Sequence, residues 1–150
     1  MIADTHGLLR PEAIEALKGS HLILHAGDIG TPDVLEALQQ IAPVVAVRGN
    51  VDKASWSQAL ALTEVVQVGP RWIYVIHELA KLDLDPRAAG FAAVIFGHSH
   101  QPSIETRDGV IFLNPGSAGP RRFRLPVSVA IIEVKGNALL PKLVALGIRS

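Results

Sequence analysis

Ala92-Ala93-Val94-Ile95-Phe96-Gly97-His98-Ser99-His100 is an apolar run that stops at a glycine and two histidines. The run is short, carries β-branched and aromatic residues, and is bounded by glycine, which predicts a buried strand. Gly97 allows a sharp turn or the close approach of another group. On extended backbone, residues two apart face the same side, so His98 and His100 are expected to project together from the strand end. Imidazole is the commonest metal ligand among side chains. Two histidines on a surface loop would mean little by themselves, so the weight of the pair depends on its company.

The same pattern, an apolar strand ending in a polar donor, recurs outward from this stretch. Trp72 to Ile76 runs into His77 and pairs with Glu64 to Val68 around a Gly69-Pro70 hairpin signal. Val44 to Val47 ends in Arg48-Gly49-Asn50-Val51-Asp52, and Leu22 to Ala26 ends in Gly27-Asp28. Met1-Ile2-Ala3 precede Asp4-Thr5-His6-Gly7, again a pair of donors two apart. Pro11 to Lys18 predicts a short helix with Ile14 and Leu17 on one face, closed by Gly19. Thr31 is placed to N-cap a second helix, with Pro32 at its first position and Val34, Leu35 and Leu38 inward. Asp85-Pro86 to Phe91 predicts a third short helix. Downstream, Ile104 to Thr106 and Val110 to Leu113 flank an Asp108-Gly109 turn and lead to Asn114-Pro115-Gly116-Ser117. Val127 to Val134 and Leu139 to Leu146 form a last hairpin around Lys135-Gly136-Asn137.

An alternating first half and a β-rich second half predict an α/β domain of two packed sheets with helices on the outer faces. The 150 residues fit a single domain, 1–150. Sites in open α/β sheets form beyond the carboxyl ends of strands. Five strand ends therefore deliver seven nitrogen and oxygen donors to one rim: Asp4, His6, Asp28, Asn50, His77, His98 and His100. Lysines plus arginines and aspartates plus glutamates number 14 each. That balance argues against a general grip on nucleic acid or an anionic membrane. With no cysteine, a metal must sit on nitrogen and oxygen. No apolar run reaches membrane-span length and no signal-peptide pattern opens the chain, so a cytoplasmic protein is expected.

Taken in order, Asp4-Thr5-His6, Gly27-Asp28, Gly49-Asn50-x-Asp52, His77 and Gly97-His98-Ser99-His100 resemble the five signature blocks of the calcineurin-like metallophosphoesterases. The small size, the Arg48-Gly49-Asn50 context and Asn114-Pro115-Gly116-Ser117 are most similar to the small YfcE-like phosphodiesterase branch. The resemblance implies a four-layer two-sheet sandwich flanked by helices. It also implies one metal on Asp4, His6 and His100, another on Asn50, His77 and His98, and Asp28 bridging the two. Asp28, Asn50 and His98 would carry catalytic roles as well. Carboxylate, imidazole and amide donors suit divalent transition metals, manganese foremost with iron, zinc, cobalt and nickel behind it, better than Mg or Ca. Two such ions, the Asp4 and Asp28 carboxylates and a bridging hydroxide leave a net charge of about +1, matched to a phosphodiester monoanion attacked directly by that hydroxide. A small phosphodiester is the expected substrate, and a second copy of the chain a possible partner. The alternative is a non-catalytic interaction scaffold on the same fold, similar to the retromer scaffold subunit.

The chain departs from the family pattern in three places. Val51 stands where relatives carry histidine or cysteine, and it can move no proton. Glu78 follows His77 where glycine is usual, with its carboxylate expected in solvent. Only Met1, Ile2 and Ala3 precede Asp4, so the first strand is expected to be curtailed. Among the remaining polar and aromatic residues, His25 is expected to be hydrogen-bonded in the core and His21 solvated. Asp52 is expected to orient a ligand rather than act as one. Arg48 is open to adding positive potential at the rim or to a surface role, and the Arg121, Arg122 and Arg124 cluster to a substrate-phosphate contact, a solvated loop or a subunit contact. Trp56 and Trp72 are expected to pack.

Overall fold

Side chains along Met1–Ala3 alternate between two apolar clusters, Met1 and Ala3 in one and Ile2 in the other, as extended backbone requires. The computed structural model of the protein describes residues 1–148. Its elements in order are α1 (Pro11–Leu17), β1 (Ile23–His25), α2 (Pro32–Gln39), β2 (Val44–Ala46), β3 (Thr63–Val68), β4 (Arg71–Ile76), β5 (Phe91–Ile95), β6 (Ser103–Arg107), β7 (Val110–Asn114), β8 (Ser128–Lys135) and β9 (Ala138–Ala145).

One sheet has the order β3-β4-β5-β7-β6, with β4, β5 and β7 parallel to their neighbours in that row and hairpins at both edges. Facing it are the parallel pair β1-β2 and the antiparallel pair β8-β9. Met1–Ala3 join those two pairs. Ile2 bridges His25, and Met1 and Ala130 exchange backbone hydrogen bonds of 2.6 and 2.9 Å. The short first strand is thus hydrogen-bonded on both sides.

Leu24, Ala26, Val47, Ile73, Val75, Ile95 and Leu113 fill the space between the sheets. Leu17 of α1 and Leu38 of α2 pack with Ile23, Ile29 and Val129 on the outer face of the second layer. Each fully buried leucine of this kind contributes about 1.5–3 kcal/mol. Helices cover that outer face as expected. The outer face of the five-stranded sheet is covered instead by the 77–91 segment, whose Leu79, Leu82 and Leu84 pack on Tyr74, Ile76 and Val94. No helix forms over Asp85–Phe91. The Asp85 carboxylate accepts the Arg87 and Ala88 N–H groups and starts a turn, but Gly90 at φ +86° ends it before a second turn can add. Thr31 occupies the N-cap position of α2 without its hydroxyl making the cap bond. Trp56 packs on the helical layer, whereas Trp72, expected to pack, lies exposed on the hairpin.

Candidate metal centre

All seven donors predicted from strand ends meet at one rim of the sheets. Asp4 and His6 follow Met1–Ala3, Asp28 follows β1, Asn50 follows β2, His77 follows β4, and His98 and His100 follow β5. They fall into two groups, Asp4 with His6 and His100, and Asp28 with His77 and His98; within each group the donor atoms lie within 4.8 Å of one another. Asn50 completes the second, its Oδ1 2.9 Å from His77 Nε2 and 3.2 Å from His98 Nδ1. Asp28 Oδ2 lies 3.2 Å from His77 Nε2 and 3.8 Å from His6 Nε2, so this carboxylate stands between the groups.

His98 and His100 do not project together from extended backbone in the way that period-two spacing predicts. Both sit at positive φ, +74° and +61°, beyond the end of β5, and they serve different groups. Asp4 and His6 likewise adopt φ +53° and +46° rather than extended backbone.

The chemistry of the donors tests whether a cation belongs here. His77 Nδ1 lies 2.7 Å from the Ala26 carbonyl, which can only accept, so Nδ1 carries the proton. In the neutral ring this turns the Nε2 lone pair toward Asn50 Oδ1 and Asp28 Oδ2, two further acceptors. Metal-ligating histidines show this arrangement, donating the other ring N–H to a carbonyl. In the first group His6 Nε2 and His100 Nε2 are 3.3 Å apart. Asp4 Oδ2 accepts the His98 N–H at 3.1 Å, while Asp4 Oδ1 is buried with no hydrogen-bond partner, as is His100 Nδ1. Buried acceptors facing one another need a shared positive charge. The residues fit divalent ions.

The proton affinities agree with this. Burial pushes the Asp4 carboxyl up to about 7, with the Asp28 charge adding to the effect. Burial disfavours the His77 imidazolium, but its hydrogen bond to Asp28 and the charge there outweigh burial and hold its pKa above the ordinary value. Burial also works against the Asp28 carboxylate, yet the His77 and Val51 hydrogen bonds bring its pKa below the ordinary value. His100 is lowered to about 4, first by burial and then by the charge of Arg122.

The shell behind these donors is largely backbone-directed. Asp52 stands in neither group. Its carboxylate accepts the N–H groups of Ile29, Gly30 and Gly49 at 3.2, 3.1 and 2.9 Å and so ties the Asp28 loop to the Asn50 loop. A Cβ at Gly49 would overlap Asp28 Oδ1 and its backbone nitrogen. His25 is buried, with Nδ1 accepting the Gly27 N–H and Nε2 donating to Thr5 Oγ1. Two positioning residues had no role assigned from sequence. Asn114 donates to Gly97 O and Ser99 Oγ and so holds the histidine loop, and the Ser117 hydroxyl donates to Asp4 O. Their signal was present, since Asn114-Pro115-Gly116-Ser117 also follows an apolar strand. Glu78 is not free in solvent; it is half-buried and paired with Lys81 at 3.2 Å. Val51 is 48% exposed at the edge of the site and contributes its backbone N–H to Asp28 Oδ1 at 3.1 Å. Arg121, Arg122 and Arg124 are exposed.

Comparison with known proteins gives a family model, the calcineurin-like phosphoesterase superfamily domain, matching residues 1–137. A probable metallophosphoesterase of Methanothermobacter thermautotrophicus is 32% identical over 98% of this chain and 91% of its own. Among solved structures, Vacuolar Protein Sorting 29 from Cryptosporidium parvum superposes with TM-score 0.82 at 23% identity, covering 97% of this chain and 89% of that one. A structure described as a novel archaeal phosphodiesterase superposes with TM-score 0.78 at 20% identity, covering 95% and 97%. At those identities the two structures establish a shared fold.

Proposed function

The chain belongs to the calcineurin-like phosphoesterase superfamily, and from that premise we propose that it hydrolyses a small phosphodiester with two divalent ions at the rim. One observation carries this reading: seven nitrogen and oxygen donors, five of them buried or half-buried, converge with no lysine or arginine in either group. Asp4, His6 and His100 would hold one ion, Asn50, His77 and His98 the other, with Asp28 between them. Such a pair would supply a water deprotonated near neutral pH and positive charge to stabilise the phosphoryl oxygens.

The chain's own residues do the rest. The Ala26 carbonyl fixes the His77 ring, Asn114 fixes the loop carrying His98 and His100, and Asp52 locks Asp28 against Asn50. Fixed donors of this kind lower the reorganisation needed during reaction. No side chain at position 51 is able to protonate a departing oxygen, so the leaving group must depart without help from that position.

An interaction scaffold on the same fold is the alternative, and the superposition on Vacuolar Protein Sorting 29 is compatible with it. The complete donor set favours the enzyme. The test is elemental analysis and anomalous scattering on protein purified without chelator and offered Mn, followed by assay on bis(p-nitrophenyl) phosphate and p-nitrophenyl phosphate. Two ions per chain and faster diester cleavage are expected. A rim that stays empty, or two ions without turnover on either ester, would overturn the reading.

A further inference from the structure

A cavity of about 390 Å³ opens directly beside Asn50 and His77, on the outer face of the five-stranded sheet. Its walls come from the start of β3 and the end of β4. Thr63 and Ile76 are register partners across that hairpin, and Tyr74 lies two residues back on the same face as Ile76. Leu62, 60% exposed, stands at the mouth. This is a slot of the size that small-molecule sites occupy, with one apolar wall of Leu62, Tyr74 and Ile76, charged side chains around it and the candidate metal centre at one end.

The charged groups around the slot neutralise one another. Arg48 and Lys81 are balanced by Glu78 and Asp83. Arg48 donates to Gln58 at 2.6 Å, and Lys81 pairs with Glu78 at 3.2 Å. No cationic excess remains to attract a second phosphate.

We propose that this slot receives one organic arm of the diester, a neutral, ring-bearing group the size of an aryl ring or nucleobase, and so selects among diesters. The proposal rests on the phosphodiesterase reading of the adjoining centre. It gives Leu62, Thr63, Tyr74 and Ile76 a specificity role.

The test uses the Mn-loaded full chain and three esters that share p-nitrophenolate as leaving group: methyl, phenyl and thymidine-5′ p-nitrophenyl phosphate. The phenyl and thymidine esters are expected to show KM values at least about 10-fold below the methyl ester. Thr63→Trp, which places an indole in the slot, should collapse the methyl-to-phenyl KM ratio toward one, and Leu62→Ala should reduce it. Saturation-transfer NMR with diphenyl phosphate supplies a readout that needs no turnover. The ring protons should receive magnetisation from the wild-type protein and lose it in Thr63→Trp. Equal KM values for all three esters in the wild type would overturn the slot, as would an unchanged ratio in a Thr63→Trp protein with wild-type melting temperature. Absence of hydrolysis of every ester would count against the phosphodiesterase reading instead, and the NMR arm would then decide the slot alone.

Discussion

Five of the seven candidate ligands, Asp4, His6, Asp28, His98 and His100, hold φ between +46° and +74°. Asparagine, aspartate and histidine tolerate this region better than most residues, yet each such position costs on the order of 1–3 kcal/mol when the surroundings impose it. Positive φ lets a loop turn its side chain back over the strand end, which extended backbone cannot do. Asp28 matters most, because its carboxylate faces His77 in one group and His6 in the other. Asp28→Asn, which keeps the tolerance for positive φ and removes only the charge, is expected to lower metal content from two ions to one or none. The matched change Asp4→Asn should spare the second ion. Metal stoichiometry by elemental analysis decides this, and two ions retained in Asp28→Asn would place the bridging role elsewhere. At position 51 the expected signature is kinetic. General acid assistance is typically worth about 10²–10⁴-fold, so aryl diesters should be cleaved far faster than alkyl ones. Val51→His should recover part of the alkyl rate while leaving the backbone bond to Asp28 in place. A plot of log rate against leaving-group pKa is expected to be steep for wild type and shallower for Val51→His; a shallow wild-type slope would mean that a proton donor exists elsewhere.

At the scale of elements, the site depends on loops that pack backbone to side chain at contact distance. A Cβ added at Gly49 meets Asp28, and one added at Gly27 would lie 2.7 Å from His77 Nδ1. Gly49→Ala is therefore expected to cost about 1–3 kcal/mol, as overpacking does, and to displace Asp28. Denaturant midpoints of the metal-free proteins check the first part, and metal content the second. Unchanged values for both would show that the loop yields without cost. This contact also marks what was legible in the sequence and what was not. Strand ends were legible, because apolar runs closed by Gly-Asp, Gly-Asn or Gly-His are local patterns, and the hairpins at Gly69-Pro70 and Asp108-Gly109 formed where turn chemistry put them. The direction of each side chain was not legible. Period-two reasoning failed at His98-Ser99-His100 because the residues lie past the strand, where tertiary bonds from Asn114 and Asp4 set the backbone. The helix expected over Asp85–Phe91 failed because one capped turn does not carry the cost of nucleation, and an apolar cover for Tyr74 and Val94 needs no helix. The support that Asp52 gives has no local signature, because its three backbone partners meet it only when the Asp28 and Asn50 loops are brought together.

For the whole molecule, buried groups give the stability of the metal-free fold opposing dependences on pH. His25 has its pKa lowered to about 3 by burial, and its Nδ1 already accepts the Gly27 N–H, so a proton there has no acceptor to meet. The unfolded chain protonates near the ordinary 6.5. The contribution of His25 is thus complete above that value and is lost as pH falls toward 3, with or without metal. Asp4 runs the other way. Its folded pKa of about 7 exceeds the ordinary 3.8, so in the metal-free fold its contribution is complete below 3.8 and is lost as pH rises through about 7. His77, also raised, adds stability that is lost as pH rises through its folded pKa. A metal ion replaces both protons, since ligands bind deprotonated. Loading at pH 6 is therefore expected to release one to two protons per chain and loading at pH 8.5 fewer, with affinity falling as pH drops below about 7. Calorimetric titration with Mn in two buffers of different ionisation enthalpy counts those protons directly. A heat independent of the buffer at pH 6 would show that Asp4 and His77 hold no exchangeable proton in the metal-free fold. The convergence of their acceptor atoms would then require a different counter-charge.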